Sequence, residues 1–304
     1  MPITSLRAQL QAQATDAPIL ISEHGAWRLS ELTAALQTAA LHEARKNPAV
    51  ALRLDDPAKL ALALIALDGE IDRMLLLPGG LADQDADALV AQFGATALLT
   101  DRAQTSASAW GHIDWSGAIE TGTESSPVVQ NRKTQWVLST SGTTGTPKLV
   151  AHSLASLTRT TKAQSKSPLH WGQLYDIARF AGAQVFLQGI LGGVLVLPRG
   201  DWSLPQRISF LAQNGCAALS ATPTLWRKIL MTPGPENLAL SQVTLGGEIA
   251  DAAILRAVAN KFPAARVTHI FASTEAGAAF SVRDGLPGFP TRYLSEPPGG
   301  VALK

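Results

Sequence analysis

The chain is nearly devoid of cysteine: Cys216 is the single one among 304 residues. An intrachain disulfide is therefore excluded, which fits a reducing compartment, and a cytoplasmic protein is expected. Cys216 lies in the apolar run 216–219, where a core role is expected rather than that of a nucleophile. Excess charge of either sign is missing too. Lys and Arg number 25 against 24 Asp and Glu, a net charge of +1. That balance offers no nucleic-acid surface and no acidic tail. Long apolar runs are absent. The stretch 60–67 ends at Asp68 and Glu70, and 186–198 contains Gln188 and the pair Gly192-Gly193. Both are too short to span a bilayer. Residues 1–13 alternate polar and apolar types and lack the apolar core of a signal peptide. The six histidines form no metal-binding spacing, and no internal repeat is visible.

What remains is an ordinary globular composition, 46% hydrophobic and 16% charged. The length suits one large core or two sublobes. Helices are expected from Ser30 as N-cap, over 57–67 with Pro57 first, and over 83–93. Strands are expected at 50–54, 73–77 and 95–100. This alternation predicts a mostly parallel sheet covered by helices. Residues 101–133 are polar and read as a loop. A second alternating run follows: an apolar stretch 183–197, helix 203–214, strand 217–221, helix 224–231, strand 242–245, helix 251–262 and strand 266–271. A second α/β sheet is expected from it.

Three polar or glycine-rich turns follow expected strands. The first is Ser139-Thr140-Ser141-Gly142-Thr143-Thr144-Gly145-Thr146-Pro147-Lys148, entered from the strand-like 135–138 and left by a helix-like segment from about His152. Its backbone N–H groups, hydroxyls and closing lysine are what a polyphosphate requires. The spacing is not that of a Walker loop, because Thr146 and Pro147 separate Gly145 from Lys148 and no Ser or Thr follows the lysine. The second is Gly246-Gly247-Glu248, where glycine permits close approach to a flat ring; alone it is an ordinary strand-to-helix turn. The third is Phe271-Ala272-Ser273-Thr274-Glu275. In open α/β sheets, ligands sit beyond the carboxyl ends of strands, so the three turns predict one shared site.

Residues 140–148 match the T-S-G-T-T-G-x-P-K signature at every fixed position. The chain thus resembles the AMP-forming adenylation superfamily of acyl-CoA synthetases, luciferases and peptide-synthetase adenylation domains. The resemblance implies two sandwiched, mostly parallel sheets with helices and the start of a small β-barrel. It implies an ATP-phosphate site at Thr140, Ser141, Gly142, Thr143, Thr144, Gly145 and Lys148. Gly246, Gly247, Glu248, Phe271 and Ala272 would meet the adenine. Thr274 would donate to the α-phosphate and Glu275 would hold Mg²⁺, a cation that favours hard oxygen ligands. Lys148, Thr274 and Glu275 are the expected catalytic residues. Phe271 and Ala272 depart from the family's Tyr-Gly, so a reshaped acid site is expected. Arg179, Phe180, Gly182, Ala272 and Gly277 are expected to line the acid pocket, with Arg179 where many relatives carry a histidine. Arginine there is either a contact for an anionic group or a surface residue.

The implied activity is ATP-dependent formation of an acyl-adenylate from a carboxylic acid, with CoA as the expected thiol acceptor. A non-catalytic nucleotide- or acyl-binding module is the alternative. Fatty, aryl and amino acids all remain open; Asp176 is near where amino-acid-activating members hold the amine. The expected divisions are 1–133, 134–281 and a barrel start at 282–304. The family's distal T-G-D segment, catalytic lysine and mobile C-terminal domain do not follow Lys304, so a truncation is expected.

Overall fold

Short runs of Ala, Leu and Val become interior strands in the computed structural model, which describes residues 5–13, 15–103, 110–120, 132–140, 147–162, 168–296 and 298. In chain order the strands are β1 (Leu20–Ser22), β2 (Gly25–Trp27), β3 (Ala49–Arg53), β4 (Arg73–Leu76), β5 (Ala97–Thr100), β6 (Gly111–Asp114) and β7 (Gln135–Ser139). They continue as β8 (Leu149–Ser153), β9 (Leu169–Gly172), β10 (Gly193–Leu197), β11 (Ala218–Ala221), β12 (Gln242–Gly246), β13 (Arg266–Ser273) and β14 (Gly277–Val282).

Two sheets result, as expected. One has six strands in the order β6-β5-β3-β4-β7-β8 and the other eight in the order β14-β13-β12-β11-β9-β10-β1-β2. Pairing is parallel except at β7–β8, β13–β14 and β1–β2. Strands β3 and β5 are buried at every position, as their apolar runs 49–52 and 97–99 require, and Arg53 and Thr100 at their ends are buried too.

Two helices are apolar on nearly all sides. Helix Pro57–Leu67 buries ten of its eleven residues and helix Phe180–Gly192 ten of thirteen. Such helices belong inside a core. Both share one buried cluster with Val50, Leu52, Met74 and Leu76 of the first sheet and Leu195 and Leu197 of the second. Asp56 caps the first of them, accepting from the Ala58 N–H at 2.8 Å, with Pro57 in the opening turn. A second cluster lies on the opposite face of the large sheet, where Leu219, Val243 and Leu245 meet Trp226, Ile254 and Val258. Strand alternation then sends Ser220, Thr244 and Thr268 to the other face.

Several local expectations change. The segment after the phosphate loop is strand β8, and only Leu154–Leu157 is helical. The apolar stretch 183–197 is split into a helix and a strand at Gly192/Gly193, because burial on all sides leaves no periodicity to separate them. Helix Leu29–Ala35 starts at Arg28, whose N–H donates to Glu31, so Ser30 lies inside it rather than capping it. Strand β6 falls within the expected loop 101–133. The division at 133/134 does not coincide with sheet membership: β1 and β2 join the larger sheet, while β7 and β8 complete the smaller. After β14 the described residues contain a 3₁₀ turn, Thr291–Leu294, and no strand. The expected barrel start is therefore not seen; residues 297 and 299–304 lie outside the described residues.

Candidate active site

The loop expected to hold phosphates connects the antiparallel strands β7 and β8. Its neck is closed by the Thr140 N–H donating to the Lys148 carbonyl at 2.9 Å. Thr140 is half-buried and Lys148 is exposed. Ser141, Gly142, Thr143, Thr144 and Gly145 lie outside the described residues. Strand β8 then carries His152 to the larger sheet. Its ring lies 5.6 Å from that of Phe180 and within hydrogen-bonding reach of the Thr274 backbone. Burial lowers the His152 pKa, and the Thr274 contact offsets part of that shift. Its Nε2 is buried without a partner among the described residues. The Phe180 contact brings the hairpin against the helix that covers the larger sheet.

Gly246 ends β12, and Gly247 follows at φ +80°, a conformation that glycine adopts without strain. The Tyr175 hydroxyl donates to the Gly246 carbonyl at 3.2 Å. Burial, then the nearby Glu248 carboxylate, push the Tyr175 pKa up, so the phenol stays protonated. Glu248 is exposed and accepts from the Thr224 N–H at 2.9 Å. Hydrogen bonds from Thr224 hold its carboxyl below the usual range. Glu248 thus serves the start of helix Pro223–Met231 as well as the turn that bears it.

Phe271 packs in an aromatic cluster. Its ring stacks on Phe280 at 4.7 Å and meets the Phe289 edge at 5.6 Å. A register shift falls between Phe271 and Ala272, and it ends the regular pairing of β13 with β14 just before the turn. Ser273 steadies that turn by accepting from the Ala276 N–H at 3.0 Å. Glu275 is exposed on it and has no ion-pair partner among the described residues. A free carboxylate is the type of hard ligand that fits Mg²⁺.

A cavity of about 570 Å³ opens beside these turns. Its near end is formed by Tyr175, Phe180, Gly246, Gly247 and Ala272. It runs along the face of the larger sheet, under helix Phe180–Gly192, to Gln242 and Arg266 at the starts of β12 and β13. Of the expected acid-pocket residues, Phe180 and Ala272 line it, and Gly277 sits beside it, 3.9 Å from Phe180 by the position a Cβ would take. Arg179 does not line it: it is the exposed N-cap of the helix, its N–H donating to the Asp176 carbonyl at 3.0 Å. Gly182 is packed instead against the chain at Asp176, whose carbonyl oxygen would be 1.8 Å from an added Cβ. The Asp176 carboxylate is taken up by the N–H groups of Ala178 at 2.9 Å and Gly79 at 3.1 Å. His152, Tyr175 and the hydroxyl-bearing strand residues of the cavity floor were not legible from motifs. Strand alternation around Gly246 and Ala272 was the available signal for the floor.

A family model described as "AMP-binding enzyme" matches residues 11–299. No curated protein matches the chain. Among solved structures, the N-terminal subdomain of Klebsiella oxytoca NpsA, in complex with 3-hydroxybenzoyl-AMSN, superposes with a TM-score of 0.79 at 17% identity, over 93% of this chain and 76% of that one. O-succinylbenzoate coenzyme A synthetase (MenE) from Bacillus subtilis, in complex with AMP, gives 0.76 at 19% identity, over 90% and 76%. An artificially fused adenylation–PCP di-domain, NpsA-ThdA from Klebsiella oxytoca, gives 0.78 at 18%, over 94% and 61%. At these identities the structures share the fold, and no helix among the described residues is long and apolar enough to cross a membrane. With a family model spanning nearly its whole length and that fold, the chain belongs to the AMP-binding enzyme family, the adenylate-forming enzymes.

Proposed function

We propose that the protein activates a carboxylic acid with ATP, forming an acyl-adenylate and releasing pyrophosphate, and then passes the acyl group to a thiol. The observation that carries this reading is that two of the three turns, Gly246-Gly247 and the one entered through Ala272, meet at the mouth of one cavity. The hairpin that bears Thr140 and Lys148 packs His152 against Phe180 of the cavity wall at 5.6 Å, while Gly246-Gly247 and Ala272 form the cavity's near end. A nucleotide held across the turns would present its α-phosphorus to an acid seated in the cavity. Thr140 to Lys148 would hold the β- and γ-phosphates, Thr274 would donate to the α-phosphate, and Gly246, Gly247, Glu248, Phe271 and Ala272 would frame the adenine.

One carboxylate oxygen attacks the α-phosphorus and the bond to pyrophosphate breaks. A thiolate then attacks the acyl carbon, and AMP leaves with the carboxylate's oxygen. The chain supplies positioning and fixed charge. A Mg²⁺ ion held by Glu275 would neutralise phosphate charge. Lys148 adds a second positive group at the leaving end. The thiol is coenzyme A or the prosthetic thiol of a carrier protein. A free amino acid is disfavoured, because the Asp176 carboxylate is engaged by backbone N–H groups outside the cavity.

The test is acid-dependent ATP–pyrophosphate exchange over a panel of fatty, aryl and amino acids. Exchange with at least one acid, lost in Lys148→Ala, is expected. ATP binding without exchange for any acid would replace this reading with that of a binding module.

A further inference from the structure

The cavity has mostly apolar walls, polar side chains such as Gln242, Arg266 and Arg283 in its lining, and a rung of hydroxyls across its floor. Trp171, Val185, Ile270 and Phe280 supply apolar surface. Ser220, Thr244 and Thr268 also line it, and they stand side by side: Ser220 pairs with Thr244 and Thr244 with Thr268 in the parallel register. All three are buried, at 6%, 6% and 5% exposure. The polar groups of the opposite wall are already engaged. Gln184 accepts from the Thr160 hydroxyl at 3.2 Å and donates to the Leu157 carbonyl at 2.7 Å. Gln188 accepts from the Lys162 N–H at 3.0 Å. The rung is not engaged in that way. Thr244 Oγ1 has only a 3.5 Å contact from Gln242 Nε2, and the Ser220 and Thr268 hydroxyls have no partner among the described residues.

Three adjacent hydroxyls facing an apolar ligand would be left unpaired, which is costly in a dry site. Valine or alanine would fill the same strand positions at no such cost. The rung therefore marks where the ligand carries a hydrogen-bonding group. Its depth follows from the register. Gly246 pairs with Ile270 at the near end, and Thr244 pairs with Thr268 two residues further in. At about 3.3 Å per residue, the rung lies about 7 Å beyond the level at which the carboxylate must meet the nucleotide.

We infer that the acid activated here carries a hydroxyl or amino group about 7 Å from its carboxyl carbon, recognised by the side chains of Ser220, Thr244 and Thr268. The inference rests on the adenylation reading of this cavity. It makes the three residues specificity determinants and assigns the substrate to polar-substituted aryl or medium-chain acids rather than to plain fatty acids.

The experiment compares matched acids in ATP–pyrophosphate exchange: 4-hydroxyphenylacetate against 4-methylphenylacetate, and 6-hydroxyhexanoate against heptanoate. Wild type should favour the hydroxylated member of at least one pair by about tenfold or more in kcat/KM. The Thr244→Val/Thr268→Val double variant should lose most of that ratio, with KM rising for the hydroxy acid and kcat/KM rising for its methyl partner. Thr244→Ser, which keeps the hydroxyl, should retain the preference and controls for altered packing. Wild type favouring the methyl members, exchanging only unsubstituted acids, or keeping its preference in the double variant would overturn the inference while leaving adenylation intact. Absence of exchange with every acid would instead remove the adenylation reading, and the inference with it.

Discussion

Asp68 offers the sharpest test of how the core holds β7, the strand that leads into the 140–148 loop. Its carboxylate is 4% exposed and accepts two buried donors, the Leu6 N–H and the Trp136 indole N–H, each at 2.7 Å. Leu6 opens the first helix, Asp68 ends helix Pro57–Leu67, and Trp136 sits on β7. Asp68→Ala strands both donors. Each stranded buried donor costs about 1–3 kcal/mol, hence about 2–6 kcal/mol for the pair. Relief of the carboxylate's own desolvation, which raises its pKa, offsets part of this and leaves about 2–4 kcal/mol. Asp68→Asn keeps the shape and one acceptor oxygen, so about 1–3 kcal/mol is expected. Urea denaturation followed by tryptophan fluorescence should rank wild type above Asn above Ala, with little change in slope. The folded pKa of Asp68 lies above its unfolded value, so the folded chain binds this proton more tightly. Wild-type stability relative to Asp68→Asn should therefore rise as pH falls through the folded value. An Ala variant within about 0.5 kcal/mol of wild type, or an Asn variant weaker than Ala, would refute the reasoning.

Other consequences are equally direct. Tyr175→Phe removes the 3.2 Å bond to the Gly246 carbonyl and should raise the KM for ATP by about 2- to 13-fold, the equivalent of one net hydrogen bond; an unchanged KM in exchange kinetics would count against that turn as a nucleotide contact. Burial pushes the Cys216 thiol up to about 12, so native protein at pH 8 should resist a disulfide thiol reagent, whereas the urea-unfolded chain should react; rapid native modification would contradict the buried placement. His152 and His269 have pKa values lowered by burial, so the unfolded chain takes up their protons first as pH falls below about 6.5. Each should contribute a loss of stability from there down to its folded pKa, and His152→Gln should flatten that part of the pH–stability curve; an unaltered curve would show that His152 titrates normally.

Whatever a short local pattern determines was legible in the sequence. The run Thr140–Lys148 identified its family because its function depends on residue order along one loop. Capping at Asp56-Pro57 and the apolar run of β3 followed from local propensity and burial. Three features were not legible. Residues 149–153 form an edge strand whose partial exposure blurs period two, so their pairing with β7 is visible only once β7 exists. Arg179 is next to Phe180 in sequence, yet it is an exposed N-cap and does not line the cavity that Phe180 lines. The floor hydroxyls come from three separate strands, and only parallel register brings them together. The elements and the three turns are encoded locally here, and the cavity surface is a product of topology.

Adenylation is defined by which oxygen moves. In adenylation the carboxylate attacks the α-phosphorus, and AMP later departs with that oxygen. The measurement is turnover of an exchanged acid whose carboxylate is labelled with oxygen-18, in the presence of ATP and a thiol, with mass analysis of the nucleotide product. The account predicts AMP carrying one labelled oxygen and unlabelled pyrophosphate. Unlabelled AMP, or ADP with label in inorganic phosphate, would contradict it.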